Sequence, residues 1–216
     1  MFAVGLLQQF RDRIILDDGN GIRRRQAFLS ELNVDEDIVD SLIGFHAYTG
    51  NDYISSFFRK GKETCYKVME GNSKLQRTFA RLGLNWDLSD ELLQDLELFV
   101  CKLYKCKSKN INSARLQMFK KKFAQEDKAI DMAVLIPCRS VFVLPSERAN
   151  YVAAIMKRAL VPHINEPDMT AHGWYADGTT FWVERAFPDD IEEILYDDVY
   201  DENDVYGGDG DSEDDE

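Results

Sequence analysis

The stretch GFHAYTGNDYISSFFRKGKETCYKVM, residues 44–69, sets one carboxylate, Asp52, shortly before a lysine-flanked glycine, Gly61. Asp52 follows a helix-like run that stops at Gly50. Enzymes that cut phosphodiesters hold Mg²⁺ with carboxylates at strand or helix ends, because the hard cation wants oxygen ligands and keeps several waters. A pair of such ions steadies the attacking and leaving oxygens together. Downstream, Gly61 opens the next helical run, with Arg59 and Lys60 before it and Lys62 after. Glycine there lets backbone N–H groups approach a phosphate, the helix dipole favours the anion, and the three side chains add charge. The pattern marks Asp52 as a metal-ligand candidate and Arg59, Lys60, Gly61 and Lys62 as a phosphate-binding turn. The same residues also read as a solvated turn behind a helix-ending glycine, and spacing alone does not separate the two readings.

Short elements must position these groups. FAVGLL, residues 2–7, is apolar with no polar face and predicts a buried strand. A core strand starting at Met1 leads us to expect a fragment, or a start taken at an internal methionine. RIILDDGNGIRRRQAFL predicts a hairpin: Ile14 to Leu16, a turn over Asp17 to Gly21, and a return strand from Ile22. From Asn33 the period lengthens. Ile38, Val39, Leu42, Ile43, Phe45 and His46 predict a helix with an Asn33/Glu36 capping box, running to about Tyr48 and ending at Gly50. Helices follow at 62–69 and 74–82. LSDELLQDLELFVCKLYKCK is the clearest helix, with Ser89 as N-cap, Asp90 and Glu91 at the positive dipole end, and Leu88 able to staple to Leu93. Another spans 113–123, and SERANYVAAIMKRAL predicts one opened by Ser146. Asp177-Gly178 between aromatic and β-branched residues signals a second hairpin. The elements predict an α/β chain that is predominantly α-helical.

Other constellations carry less chemistry. Cys101 and Cys106, five apart on a helix, point to different faces and make a poor zinc pair; reduced structural thiols are expected. His163 and His172 with Asp168 between them lack recognised ligand spacing, and His172 is expected to orient the start of the second hairpin. His46 falls on an apolar stripe and is expected to be a hydrogen-bonded core histidine. Arg23, Arg24 and Arg25 alternate faces on the predicted return strand. Lys120, Lys121 and Lys122, with Lys102, Lys105, Lys107 and Lys109, form the densest positive region, suited to phosphate contact but not to base recognition.

Composition narrows the class. A hydrophobic content of 44% fits a folded globular chain. The net charge of -13 is unevenly distributed: residues 189–216 hold 15 Asp and Glu and no Lys or Arg, which leaves 26 basic against 24 acidic residues in the body. That low-complexity tail predicts disorder and serves either as a solubilising segment or as a DNA mimic competing for the lysine-rich face. No run approaches the roughly 20 apolar residues of a membrane span. Four scattered cysteines and no basic leader point to a reducing interior, nucleus or cytoplasm.

The segment GFHAYTGNDYISSFFRKGK resembles the conserved block of a large animal protein family that is itself similar to PIN-like nucleases of the flap-endonuclease and XPG type. There a Gly-Cys-Asp triplet carries a metal-binding aspartate and a GKGK-like turn opens the helical hairpin that follows; here they match Gly50-Asn51-Asp52 and Arg59-Lys60-Gly61-Lys62. The resemblance runs through LDDGNGIRRR (16–25), ELFVCKLY (97–104), PCRSVFVLPSERANYVAAIMKRA (137–159) and HGW (172–174). It implies a partial PIN-like sheet remnant, a helical region and a C-terminal hairpin. The division it implies is 1–126 for the nuclease-like part, 127–188 for a helix-plus-hairpin extension and 189–216 for the acidic tail. The family's acidic cluster would precede the strand at 2–7, so Mg²⁺ binding requires carboxylates upstream of this chain, and this chain is expected to bind nucleic acid without cleaving it. The reading from another class is a non-catalytic protein-interaction module.

Overall fold

The computed structural model describes residues 13–31, 33–123 and 132–183, so the strand expected at 2–7 and the acidic tail lie outside the described residues. Within them the chain is mostly helical, with two small antiparallel hairpins. No described helix is long and apolar enough to cross a membrane.

The first hairpin pairs β1 (Ile15–Asp18) with β2 (Arg25–Phe28), Ile15 opposite Phe28 and Asp18 opposite Arg25. The return strand starts three residues later than Ile22 because Gly21–Arg23 winds into a 3-10 turn. The arginine triplet therefore does not alternate across a strand. Arg23 ends the turn, Arg25 begins β2, and Arg24 between them grips the Asp17 carboxylate from Nε at 2.8 Å. That pair is solvent-exposed, where such bridges contribute little.

Six helices follow among the described residues: α1 (Glu36–Tyr48), α2 (Lys62–Glu70), α3 (Ser73–Arg81), α4 (Asp90–Leu103), α5 (Ile111–Phe123) and α6 (Arg139–Lys157). The N-cap of α1 is Asp35, whose carboxylate accepts from the Asp37 N–H at 2.9 Å, and not Asn33. Ser89 caps α4, accepting from the Leu92 N–H at 3.3 Å. α6 starts seven residues before Ser146 and runs through Pro145. The proline has no N–H to give the Val141 carbonyl one turn back, a loss the burial of Phe142, Ala149 and Tyr151 outweighs. β3 (Trp174–Asp177) and β4 (Thr180–Val183) form the second hairpin, with Gly178 at φ +61° in its turn.

One core joins these parts. Phe45 and Tyr48 of α1 meet Phe79 of α3 and Phe99 of α4 through ring contacts 5.0–5.9 Å apart. α6 contributes Phe142, Ala149, Tyr151, Val152 and Ala153 to the same cluster, so the expected extension packs into the body. Tyr151 reaches toward the C-terminal hairpin, lying 4.9 Å from the His172 ring and 5.5 Å from Trp174. His172 is buried in that stack, in keeping with a role at the hairpin start.

Glu97 of α4 is the buried acid that ties helix starts together. Its carboxylate takes a hydrogen bond from Arg139, the first residue of α6, and from the backbone N–H of Ile111, the first residue of α5. Burial raises its pKa above the ordinary 4.5, and Arg139 only partly opposes this. The folded state then holds the Glu97 proton more tightly than the unfolded chain does. Stability from this group is complete below the unfolded value of 4.5 and is lost as pH rises through the folded value. Urea titrations across that window should show wild-type stability falling with pH more steeply than in Glu97→Gln; equal slopes would remove Glu97 as the cause.

Candidate functional site

The corner after α1 is built by Asn51. Its Nδ2 donates to the Ala47 carbonyl at 3.1 Å, and its Oδ1 accepts from the N–H groups of Tyr53 at 2.8 Å and Ile54 at 3.2 Å. The Asn51 and Ile54 backbones also pair reciprocally, at 3.0 and 3.3 Å. This is an Asx turn, and an amide serves it because the corner needs a donor and an acceptor on one short side chain. Gly50 enters the corner at φ +104°. Asp52 is left at the exposed tip, its carboxylate making no hydrogen bond among the described residues.

The basic turn lies between this corner and α2. Arg59 takes a left-handed φ of +54° and holds its guanidinium 4.9 Å over the Phe58 ring. The Lys60 ammonium sits 5.0 Å over the Tyr104 ring at the end of α4. Gly61 is the N-cap of α2, exposed, with φ −67° and open space where a Cβ would stand. Neither strain nor crowding demands glycine there. What its bareness does is leave the start of α2 uncovered, and no side chain caps those amides.

Lys62 behaves differently from its neighbours. Its ammonium turns back onto the end of α1, donating to the Gly50 carbonyl at 2.5 Å and the His46 carbonyl at 3.3 Å. It occupies the site a helix C-terminus reserves for a cation. Burial lowers its pKa. Two of its donors are therefore committed inside the fold, so Lys62 braces the turn rather than projecting from it. His46, expected in the core, is half-buried, and its ring makes no hydrogen bond among the described residues. Burial and then the Lys62 charge lower its pKa, while Asp52 acts the other way.

Asp52 thus has the His46 ring in its electrostatic surroundings, and no group of three metal-ligating side chains occurs among the described residues. A single carboxylate at an exposed tip does not fit a resident Mg²⁺ pair.

The remaining candidates stay apart. Asp168 caps the 3-10 turn Met169–His172 through the Thr170 N–H at 2.9 Å, and His163 is exposed. Cys101 is buried and its thiol is pushed up to about 12 by burial; Cys106 lies past the helix end and is also raised. All four cysteines are free thiols. Lys120 and Lys121 are exposed on α5. Sequence reasoning missed the partners of the basic turn, Phe58 and Tyr104, because an aromatic beneath a cation leaves no local pattern.

No protein-family model, no curated protein and no solved structure matches the chain.

Proposed function

We propose that this chain is a nucleic-acid-binding relative of PIN-like, flap-endonuclease-type nucleases that grips a sugar-phosphate backbone at the turn 59–61 and does not itself cleave it. The remnant of a PIN-like sheet before the helices belongs to the same reading. The observation that supports it most is the pairing of charge and geometry at α2. Arg59 and Lys60 stand beside an uncapped helix start, and neither has a carboxylate partner among the described residues. Elsewhere Lys67, Lys74, Arg81 and Arg139 are all paired with acids. Unpaired cations beside free amides form an anion site, and a polyanion engages both at once.

The test is charge reversal read through salt. Arg59→Glu with Lys60→Glu should weaken binding of a short single-stranded oligonucleotide at least about tenfold. It should also flatten the slope of log affinity against log salt by about 1.4, the share of two phosphate contacts on a single strand. A slope unchanged in the double variant would discard the turn as the contact.

A second reading, protein interaction, is favoured by a different feature. Tyr175, Phe181, Trp182 and Val183 of the C-terminal hairpin are each about half exposed, 44–52%. Clustered aromatic exposure on a short hairpin is more typical of a contact surface than of scattered surface apolars.

A further inference from the structure

Beside the basic turn lies a cavity of about 320 Å³, within the size range of small-ligand sites. Its walls include Tyr48, Phe58, Tyr104, Phe142 and Pro145, and among the described residues no acidic side chain lines it. Cations ring its edge. Arg59 lies over Phe58 and Lys60 over Tyr104, both rings being part of the wall. Arg115 is itself in the lining, with one guanidinium nitrogen on the Ile136 carbonyl at 2.6 Å. None of the three is paired with an acid among the described residues.

The interior hydroxyls are closed off. The Tyr48 hydroxyl is buried and presents no surface to the cavity, and Ser146 beside it is 1% exposed and donates to the Phe142 carbonyl at 2.8 Å. The walls an occupant can touch are mainly apolar and aromatic, which calls for a flat apolar body against the rings and negative charge at the mouth. An alkyl carboxylate has the charge but no π face. A nucleobase on its phosphodiester has both.

We propose that this cavity takes one unstacked base of a single-stranded nucleic acid, with Arg59, Lys60 and Arg115 around its flanking phosphates. The proposal rests on the backbone-binding reading and deepens it. Stacking on Phe58 or Tyr104 supplies base-dependent affinity that tolerates sequence, because every base has a π face.

The experiment compares a short oligothymidylate with an abasic sugar-phosphate strand of the same length by fluorescence anisotropy, using the full chain at fixed salt. Wild type should bind the base-bearing strand at least about fivefold more tightly, the lower end of one stacked base. Phe58→Leu, at a ring 43% exposed, should shrink that ratio toward one, the base-bearing strand losing more affinity than the abasic strand. Equal binding of the two strands by wild type overturns the cavity proposal and leaves the backbone reading standing. A ratio that survives both Phe58→Leu and Tyr104→Leu, in variants whose helical circular dichroism is intact, places the base elsewhere and overturns it as well. Failure of both strands to bind removes both readings.

Discussion

Gly44→Ala is expected to destabilise the chain by about 3 kcal/mol, lowering the melting temperature by roughly 10 °C for a domain of this size. The argument is one of sign as well as size. In an exposed helix interior, alanine stabilises relative to glycine by about 1 kcal/mol. Gly44 is in the middle of α1, where that gain would apply, yet a Cβ there would fall 2.1 Å from the Phe79 carbonyl oxygen and 3.0 Å from Leu82 Cβ. The obstacle is the backbone of α3, which cannot swing aside as a side chain can. α1 and α3 would have to separate, loosening the contacts of Phe45 and Tyr48 with Phe79. Gly61→Ala is the internal control. Its Cβ meets nothing, so its unfolding free energy should fall by no more than about 1 kcal/mol, the cost of alanine in place of an N-cap glycine. Urea unfolding of the two variants side by side checks both. A stable Gly44→Ala would mean that the helices are not in contact at that position.

Local signals carried the helices whose ends are written in neighbouring residues. Ser89 before Asp90-Glu91 is an N-terminal signature whose physics is complete within one turn, and α4 starts there. The signal failed where a distant contact decides. α6 runs through Pro145 because its apolar residues are locked into the body, and no local preference reports that. The return strand after Asp18 was shortened by the 3-10 turn at Gly21–Arg23, which a run of three arginines does not announce. At the site, the left-handed Arg59 and the Gly61 N-cap fit the turn that spacing suggested. Lys62 looked equivalent to Lys60 in sequence, since both flank the glycine. They diverge because α2 sets Lys62 against the carbonyl end of α1, whereas Lys60 falls over Tyr104 from another helix. Asn51 stood in the sequence as a replacement beside Asp52. It proves to organise the corner, leaving the aspartate as its exposed tip.

Asn150→Leu should cost about 4 kcal/mol, more than its change in volume explains. Asn150 is 1% exposed on α6 and saturates three backbone groups of the segment after α3. Its Oδ1 accepts from the Gly83 N–H at 2.8 Å, and its Nδ2 donates to the carbonyls of Asn85 at 3.0 Å and Trp86 at 2.7 Å. Leucine fills similar space but leaves the Gly83 N–H without its acceptor in a buried place, and the two partly buried carbonyls without their donor. Each buried orphan costs about 1–3 kcal/mol, and because the three share one loop the losses do not add fully. The loop has little freedom to find substitutes. Gly83 is at φ +81°, and a Cβ there would stand 2.5 Å from the Ala153 carbonyl carbon, so the segment lies flat against α6. Arg158 holds the other side, donating to the Gly83 carbonyl at 2.9 Å and the Leu84 carbonyl at 2.8 Å. In urea, the midpoint of Asn150→Leu should fall with little change in the slope. Hydrogen exchange localises the cause: the Gly83 amide should lose protection beyond the global loss while core amides of α4 follow global stability alone. A Gly83 amide that tracks the core would show that Asn150 is a packing residue and that its three hydrogen bonds do not decide its contribution.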